Sequence, residues 1–178
     1  MNGNSTQQDI SLQLSELQNN QTEAIEKYLT FWSGGQLFGI GIAQVVQIIQ
    51  VPEITVLPES PYYMKGIVCI RGEVIPVIDM RLRLGQPEEE YTGHTCIVLV
   101  TVRGRTFGLI VDAVESVEDI PDQQILPPPE KETGLLRGIV ERKSVILIMN
   151  IDFLLGADDF AEMLGTAETF LPDGQEEA

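Results

Sequence analysis

One histidine, two cysteines and eleven basic residues are all that this 178-residue chain offers to chemistry that depends on imidazole, thiols or the binding of phosphate. A lone His94 excludes multi-histidine metal sites and leaves any Ser-His or Cys-His nucleophile dependent on that single ring. It follows Thr92-Gly93 in a linker with no nucleophile motif beside it, so it reads as solvent-facing. Cys69 and Cys96 lie in apolar runs without the spacing of a redox or zinc motif, and read as buried small hydrophobes in a reducing compartment. Eleven Lys and Arg face 27 Asp and Glu, a net charge of −16 that repels phosphate backbones and anionic lipid. Neither nucleic-acid binding nor a membrane-surface role fits that field. No apolar stretch reaches the ~18 residues of a spanning helix. The start, MNGNSTQQDISLQL, has neither the basic flank nor the apolar core of a signal peptide. The expectation is a cytoplasmic protein that reaches any membrane through partners, without inserting.

Catalytic signatures are equally scarce. Gly39 and Gly41 form a G-x-G, but strands flank it and no third glycine opens a helix, so a dinucleotide fingerprint is rejected. Asp79 and Asp112 end strands without a paired carboxylate and read as turn or cap residues. Neither a catalytic constellation nor a cofactor site emerges, and an enzyme is disfavoured.

What the chain does have is punctuation and repetition. Residues 1–26 are polar and read as a frayed helical or flexible arm, residues 27–157 as the folded region, and residues 158–178 as an acidic tail. From Tyr28 onward, short β-rich runs flank Gly34-Gly35, Arg71-Gly72 and Arg103-Gly104, the pattern of β-hairpins in an all-β fold. QLFGIGIAQVVQIIQVPEITVLP (36–58) aligns without a gap on RTFGLIVDAVESVEDIPDQQILP (105–127), pairing Phe38 with Phe107 and Pro52 with Pro121. KGIVCIRGEVIPVIDMRLRLG (65–85) then meets RGIVERKSVILIMNIDFLLG (137–156), Gly66 on Gly138. The chain is two copies of one unit, about 28–85 and 96–156, each with a hairpin, a Pro-bounded connection, a second hairpin and a short helical end. Units this small bury few large side chains, so the halves are expected to share apolar surface at a seam.

The segment MKGIVCIRGEVIPVIDMRLRLG (64–85) resembles the signature of the CheW family, with its hairpin tip reading apolar-Arg-Gly and its apolar-Pro-apolar-apolar-Asp-x-Arg. YLTFWSGGQLFGIGIAQVVQIIQVPEITVLPESP and VDAVESVEDIPDQQILPPP are similar to further family segments in the same order. That resemblance implies two SH3-like five-stranded β-barrels with short helical segments, acting as a scaffold without cofactor. The implied partners are the regulatory domain of the histidine kinase CheA and the hairpin tip of chemoreceptors. Val45, Ile48, Gly66, Arg71 and Val114 fall where the family meets the receptor, and Thr95 and Cys96 where it meets the kinase. Val45 and Ile48, three apart, are expected on one face of a helical turn. Arg71 could equally be an ordinary turn residue, and Val45 and Ile48 ordinary core. Gln47 and Gly41 depart from the family's acidic residues. A scaffold for a different signalling kinase and an unrecognised two-barrel enzyme remain as alternatives.

Overall fold

The computed structural model describes residues 8–13, 24–129 and 134–154, so most of the amino-terminal arm and all of the acidic tail lie outside the described residues. Ten strands form the fold: β1 (Ile25–Ser33), β2 (Gln36–Gly41), β3 (Val45–Gln50), β4 (Met64–Ile70), β5 (Glu73–Asp79), β6 (Cys96–Val102), β7 (Arg105–Val111), β8 (Ala113–Pro121), β9 (Leu136–Glu141) and β10 (Val145–Met149). One-turn helical pieces follow β2, β5, β8 and β10. The arm ends sooner than residue 26, because Ile25 and Glu26 already pair with Pro121 and Ile120.

Three of the four hairpins turn where the glycines stand, the fourth, β9–β10, turning at residues 142–144. Gly34 and Gly35, Arg71 and Gly72, and Arg103 and Gly104 all have positive φ, the requirement of the tight turns that match strand twist. Between the turns, side chains alternate. In β6, Val98, Val100 and Val102 face one core while Ile97 and Leu99 face another, which is why CIVLVTV is almost continuously apolar.

The strands make two five-stranded sheets, β8-β1-β2-β10-β9 (sheet A) and β3-β6-β7-β5-β4 (sheet B). Replacing each strand by its copy in the other unit converts one order into the other, so the internal duplication is a duplication of topology. One feature differs from a barrel per sequence half. The β1–β2 hairpin pairs with β8 and, in parallel, with β10, while β6–β7 pairs with β3 and, in parallel, with β5. Each sheet thus takes a hairpin from one half and three strands from the other.

After β3 the chain folds back on the opposite edge of its sheet, where Thr55 and Ile67 exchange two backbone hydrogen bonds of 2.9 Å; Leu126 and Ile139 do the same in sheet A. Gly66 permits the first of these contacts. A Cβ there would sit 2.1 Å from the Thr55 carbonyl oxygen, and its φ is +146°.

Apolar side chains collect in three places. Tyr28, Leu37, Ile120, Val140, Ile146 and Ile148 fill sheet A. Val68, Ile75, Val77, Ile97, Leu99 and Ile110 fill sheet B. The largest cluster, including Phe31, Phe38, Ile40, Val98, Phe107 and Met149, lies between the sheets. This is the shared apolar surface that two small units need.

Candidate interaction surface

Val45 and Ile48 lie on strand β3, not on a helical turn. On a regular strand, residues three apart face opposite ways. Here the register slips, with Val45 opposite Val100, Gln47 opposite Leu99 and Ile48 opposite Val98. That bulge inserts one residue and returns Val45 and Ile48 to the same face, so the expected shared face exists for a different reason. The matching slip in sheet A, where Phe31 opposes Val114 and Thr30 opposes Ser116, places Val114 at the position equivalent to Val45. Both valines pack partly against the core between the sheets.

Cys96 belongs to the same surface. It is half-buried on β6 opposite Gln50 and packs on the same core. Burial pushes its thiol up, while a backbone hydrogen bond from Val114 acts the other way. Cys96 and Val114 therefore meet, while Ile48 and Val45 lie along the β3 edge, opposite Val98 and Val100 of the same strand β6. Thr95, just before Cys96, accepts a 2.9 Å hydrogen bond from the Thr92 backbone and closes the linker turn. Two residues of the expected set lie elsewhere. Gly66 is buried against Thr55 on the far edge of sheet B, and Arg71 occupies the β4–β5 tip. Arg71 is exposed and makes no hydrogen bond or ion pair among the described residues, at a φ of +51° that costs a residue with a Cβ about 1 kcal/mol.

β3 and β8 are equivalent edge strands with different surfaces. β8 carries Glu115, Glu118 and Asp119, charges of the kind that block edge pairing. β3 carries none, and leaves Val46 58% and Ile48 42% exposed. Gln47 is exposed beside them. Gly41 is not a steric necessity, since an added Cβ would meet only the Gln44 side chain at 3.9 Å.

Both cysteines were expected inside, and Cys69 corrects that: it lies on edge strand β4 one residue before its last, near the Arg71-Gly72 tip, and is exposed. His94 is exposed, in keeping with its linker position. Asp79 is the cap residue its position implied. Only 2% exposed, it accepts from the backbone of Arg81 at 2.9 Å and Leu82 at 3.4 Å, and burial raises its carboxyl above the usual range.

Asp112 is more than a turn residue. Its carboxylate accepts both prongs of the Arg81 guanidinium, at 2.8 and 2.6 Å, and the Gly34 backbone N–H at 2.8 Å. That clamp ties the first hairpin of sheet A to the end of β5 in sheet B. The Asp-x-Arg and Val-Asp-x-Val segments, 31 residues apart, are the two halves of one ion pair. A second polar cluster also escaped sequence reading. Arg137 donates to Tyr28 (2.8 Å) and Glu26 (3.2 Å) beside a cleft of about 480 Å³, and burial, with the Glu26 bond, pushes the Tyr28 hydroxyl up to about 12. No long-range pairing of this kind is readable from spacing alone.

Among the described residues no group of three or more His, Cys, Asp or Glu side chains is placed to hold a metal, and no helix is long and apolar enough to cross a membrane. Two interlocked, duplicated β-sheets with an apolar seam, an uncharged strand edge and an exposed arginine tip define a protein-docking module. The CheW-like domain family matches residues 27–159, and the chain belongs to that family. It is 35% identical over 126 residues to a probable chemotaxis protein CheW of Rhizobium etli, covering 67% of this chain and 81% of that one. Protein FrzA of Myxococcus xanthus is 26% identical over 141 residues, covering 76% and 88%. The crystal structure of the scaffolding protein TtCheW from Thermoanaerobacter tengcongensis superposes with a TM-score of 0.71 at 32% identity, covering 76% of this chain and 96% of that one.

Proposed function

We propose that the chain is a cytoplasmic, non-enzymatic adaptor of chemotaxis signalling that couples chemoreceptor hairpin tips to the regulatory domain of the histidine kinase CheA. The observation that carries this reading is the uncharged edge strand β3, where Val45 packs on the core between the sheets, as Val114 does on β8, and Val46 and Ile48 are exposed. An apolar face of this kind suits the side of a helical hairpin, and Arg71 adds a fork of donors for carbonyls or carboxylates at its rim. Thr95 and Cys96 supply the neighbouring kinase contact. Because Cys96 touches Val114, the receptor and kinase surfaces adjoin on this chain, which suits an adaptor that reports one partner's state to the other.

Reconstitution with receptor and kinase is the test. Arg71→Ala should leave the unfolding midpoint nearly unchanged, within ~0.5 kcal/mol, while weakening ternary assembly by about 2 kcal/mol and lowering receptor-coupled kinase activity. Arg71→Lys should restore part of it, keeping the charge but losing the planar fork. Wild-type assembly and activation by Arg71→Ala would return Arg71 to the status of a turn residue. The match to protein FrzA favours one second reading, an adaptor for a different signalling kinase. Pull-down with chemoreceptor hairpin tips separates the two, since only the first predicts capture.

A further inference from the structure

We propose that the short strand edge at residues 54–56 is a docking site for an extended protein segment in which apolar residues alternate with Lys or Arg, added to sheet B as a further strand. The site shares no residue with the receptor and kinase sets given above, and it lies across sheet B from β3.

Thr55 points both of its backbone groups at Ile67 of β4, and the two residues exchange hydrogen bonds. In an extended chain the backbone groups of successive residues alternate in direction, so those of Ile54 and Val56 face away from the sheet. Among the described residues neither makes a hydrogen bond. The equivalent edge of sheet A is closed. Beside Leu126, which meets Ile139 in the same way, the Ile125 N–H donates to the Asp122 carbonyl at 3.2 Å, and Pro127 has no N–H to give. Proline at an edge blocks the addition of a further strand. Duplication thus left sheet A sealed and sheet B open at the same place.

The open edge borders a cleft of about 460 Å³, lined by Ile54, Val56, Lys65, Tyr91 and the glutamates at 88–90. Ile54 and Val56, two apart on an extended chain, turn their side chains to one face, and Val56 is 78% exposed. Two residues offer few backbone hydrogen bonds, so side chains in the cleft must supply the rest of the affinity and all of the selectivity. Their chemistry is apolar and anionic. Lys65 pairs with Glu88, and Glu89 reaches Arg81 at 3.3 Å, whereas Glu90 has no ion-pair partner among the described residues. Glu53, exposed just before Ile54, adds a further carboxylate. The apolar face of an added strand covers Val56 and Tyr91, and Lys or Arg beside it answers Glu90 and Glu53. An acidic segment is repelled here, as it is by the whole molecule with its charge of −16.

The test uses the full chain and the capped peptide Lys-Val-Lys-Val-Lys-Val, followed in nitrogen-15 spectra at low salt. The Ile54 and Val56 amides should shift on titration, those of Ile125 and Leu126 should not, and high salt should weaken binding by screening. Glu90→Gln should weaken it roughly two- to fivefold, the scale of an exposed ion pair. Val56→Pro, which copies the Pro127 edge, should weaken it roughly three- to tenfold by removing one donor. The same peptide N-methylated at every residue should not bind the wild-type chain, a result that does not depend on whether Val56→Pro folds. Unmoved amides at residues 54 and 56, equal binding of the peptide Glu-Val-Glu-Val-Glu-Val, or undiminished binding of the N-methylated peptide would each overturn the proposal, as would wild-type affinity in Glu90→Gln or in folded Val56→Pro.

Discussion

At Arg71, backbone geometry and side-chain chemistry pull in opposite directions. The tip conformation favours glycine, and the structure gives the guanidinium no described partner that would compensate. Arg71→Gly should therefore raise stability by about 1 kcal/mol in urea unfolding while weakening assembly as Arg71→Ala does. A destabilised Arg71→Gly would mean that the side chain supports the fold. Gly66 behaves in the opposite sense. An added methyl would strike the Thr55 carbonyl at 2.1 Å, so Gly66→Ala should cost at least about 2 kcal/mol. A wild-type denaturation midpoint would show that this contact relaxes freely. Asp79 predicts a pH dependence. Its folded carboxyl holds the proton more tightly than the unfolded one does. The stability it contributes is therefore fullest below the ordinary carboxylate pKa of about 4, and falls as the pH climbs through the raised folded value. Asp79→Asn keeps a cap acceptor and removes the buried charge. Relative to wild type, its stability should rise between pH 4 and 7. A flat difference would place the raised carboxyl elsewhere.

At the scale of elements, the Arg81–Asp112 clamp is the junction between the two sheets that a single substitution can open. Asp112 receives three short hydrogen bonds from two different elements, so Asp112→Ala removes both the ion pair and the anchor of the β1–β2 turn. The expected loss is about 2 kcal/mol, the scale of a half-buried charge-assisted fork. Arg81→Lys should lose only part of it, since an ammonium cannot make both prongs. Thermal unfolding of the two variants checks the ranking, and equal losses would mean that charge alone matters. The strand edges carry a related lesson. β3 and β8 descend from one pattern, yet β8 kept carboxylates on its edge and β3 exposes Val46 and Ile48. Divergence after duplication thus left one edge guarded and one available.

At the scale of the whole molecule, the exchange of hairpins makes each sheet depend on both halves of the chain. Fragments 1–90 and 91–178, divided in the linker between β5 and β6, should each fail to fold as monomers. Mixed, they should assemble into one complex with a single cooperative transition, because every ladder between halves can form across the break. Circular dichroism and size-exclusion chromatography read the outcome. A monomeric fragment that unfolds cooperatively by itself would refute the interlock. The same exchange explains why the largest apolar cluster lies between the sheets rather than inside either.

The sequence by itself determined the all-β class, the three turns and the duplication, because these are local patterns: alternation within strands, glycines at positive φ, and a repeat at constant offset. It also carried family membership, through motifs in fixed order. It placed Val45 and Ile48 among the functional candidates, but on the wrong element, since a bulge imitates helical spacing and leaves no signal in two residue names. Only the tertiary structure decided that Cys69 faces out, that Asp112 meets Arg81, and that Gly66 serves a close backbone approach. Each depends on which strands become neighbours, and here those neighbours come from opposite halves of the chain. Pairing of that range is set by the burial of the whole core, a sum over residues that no single segment contains.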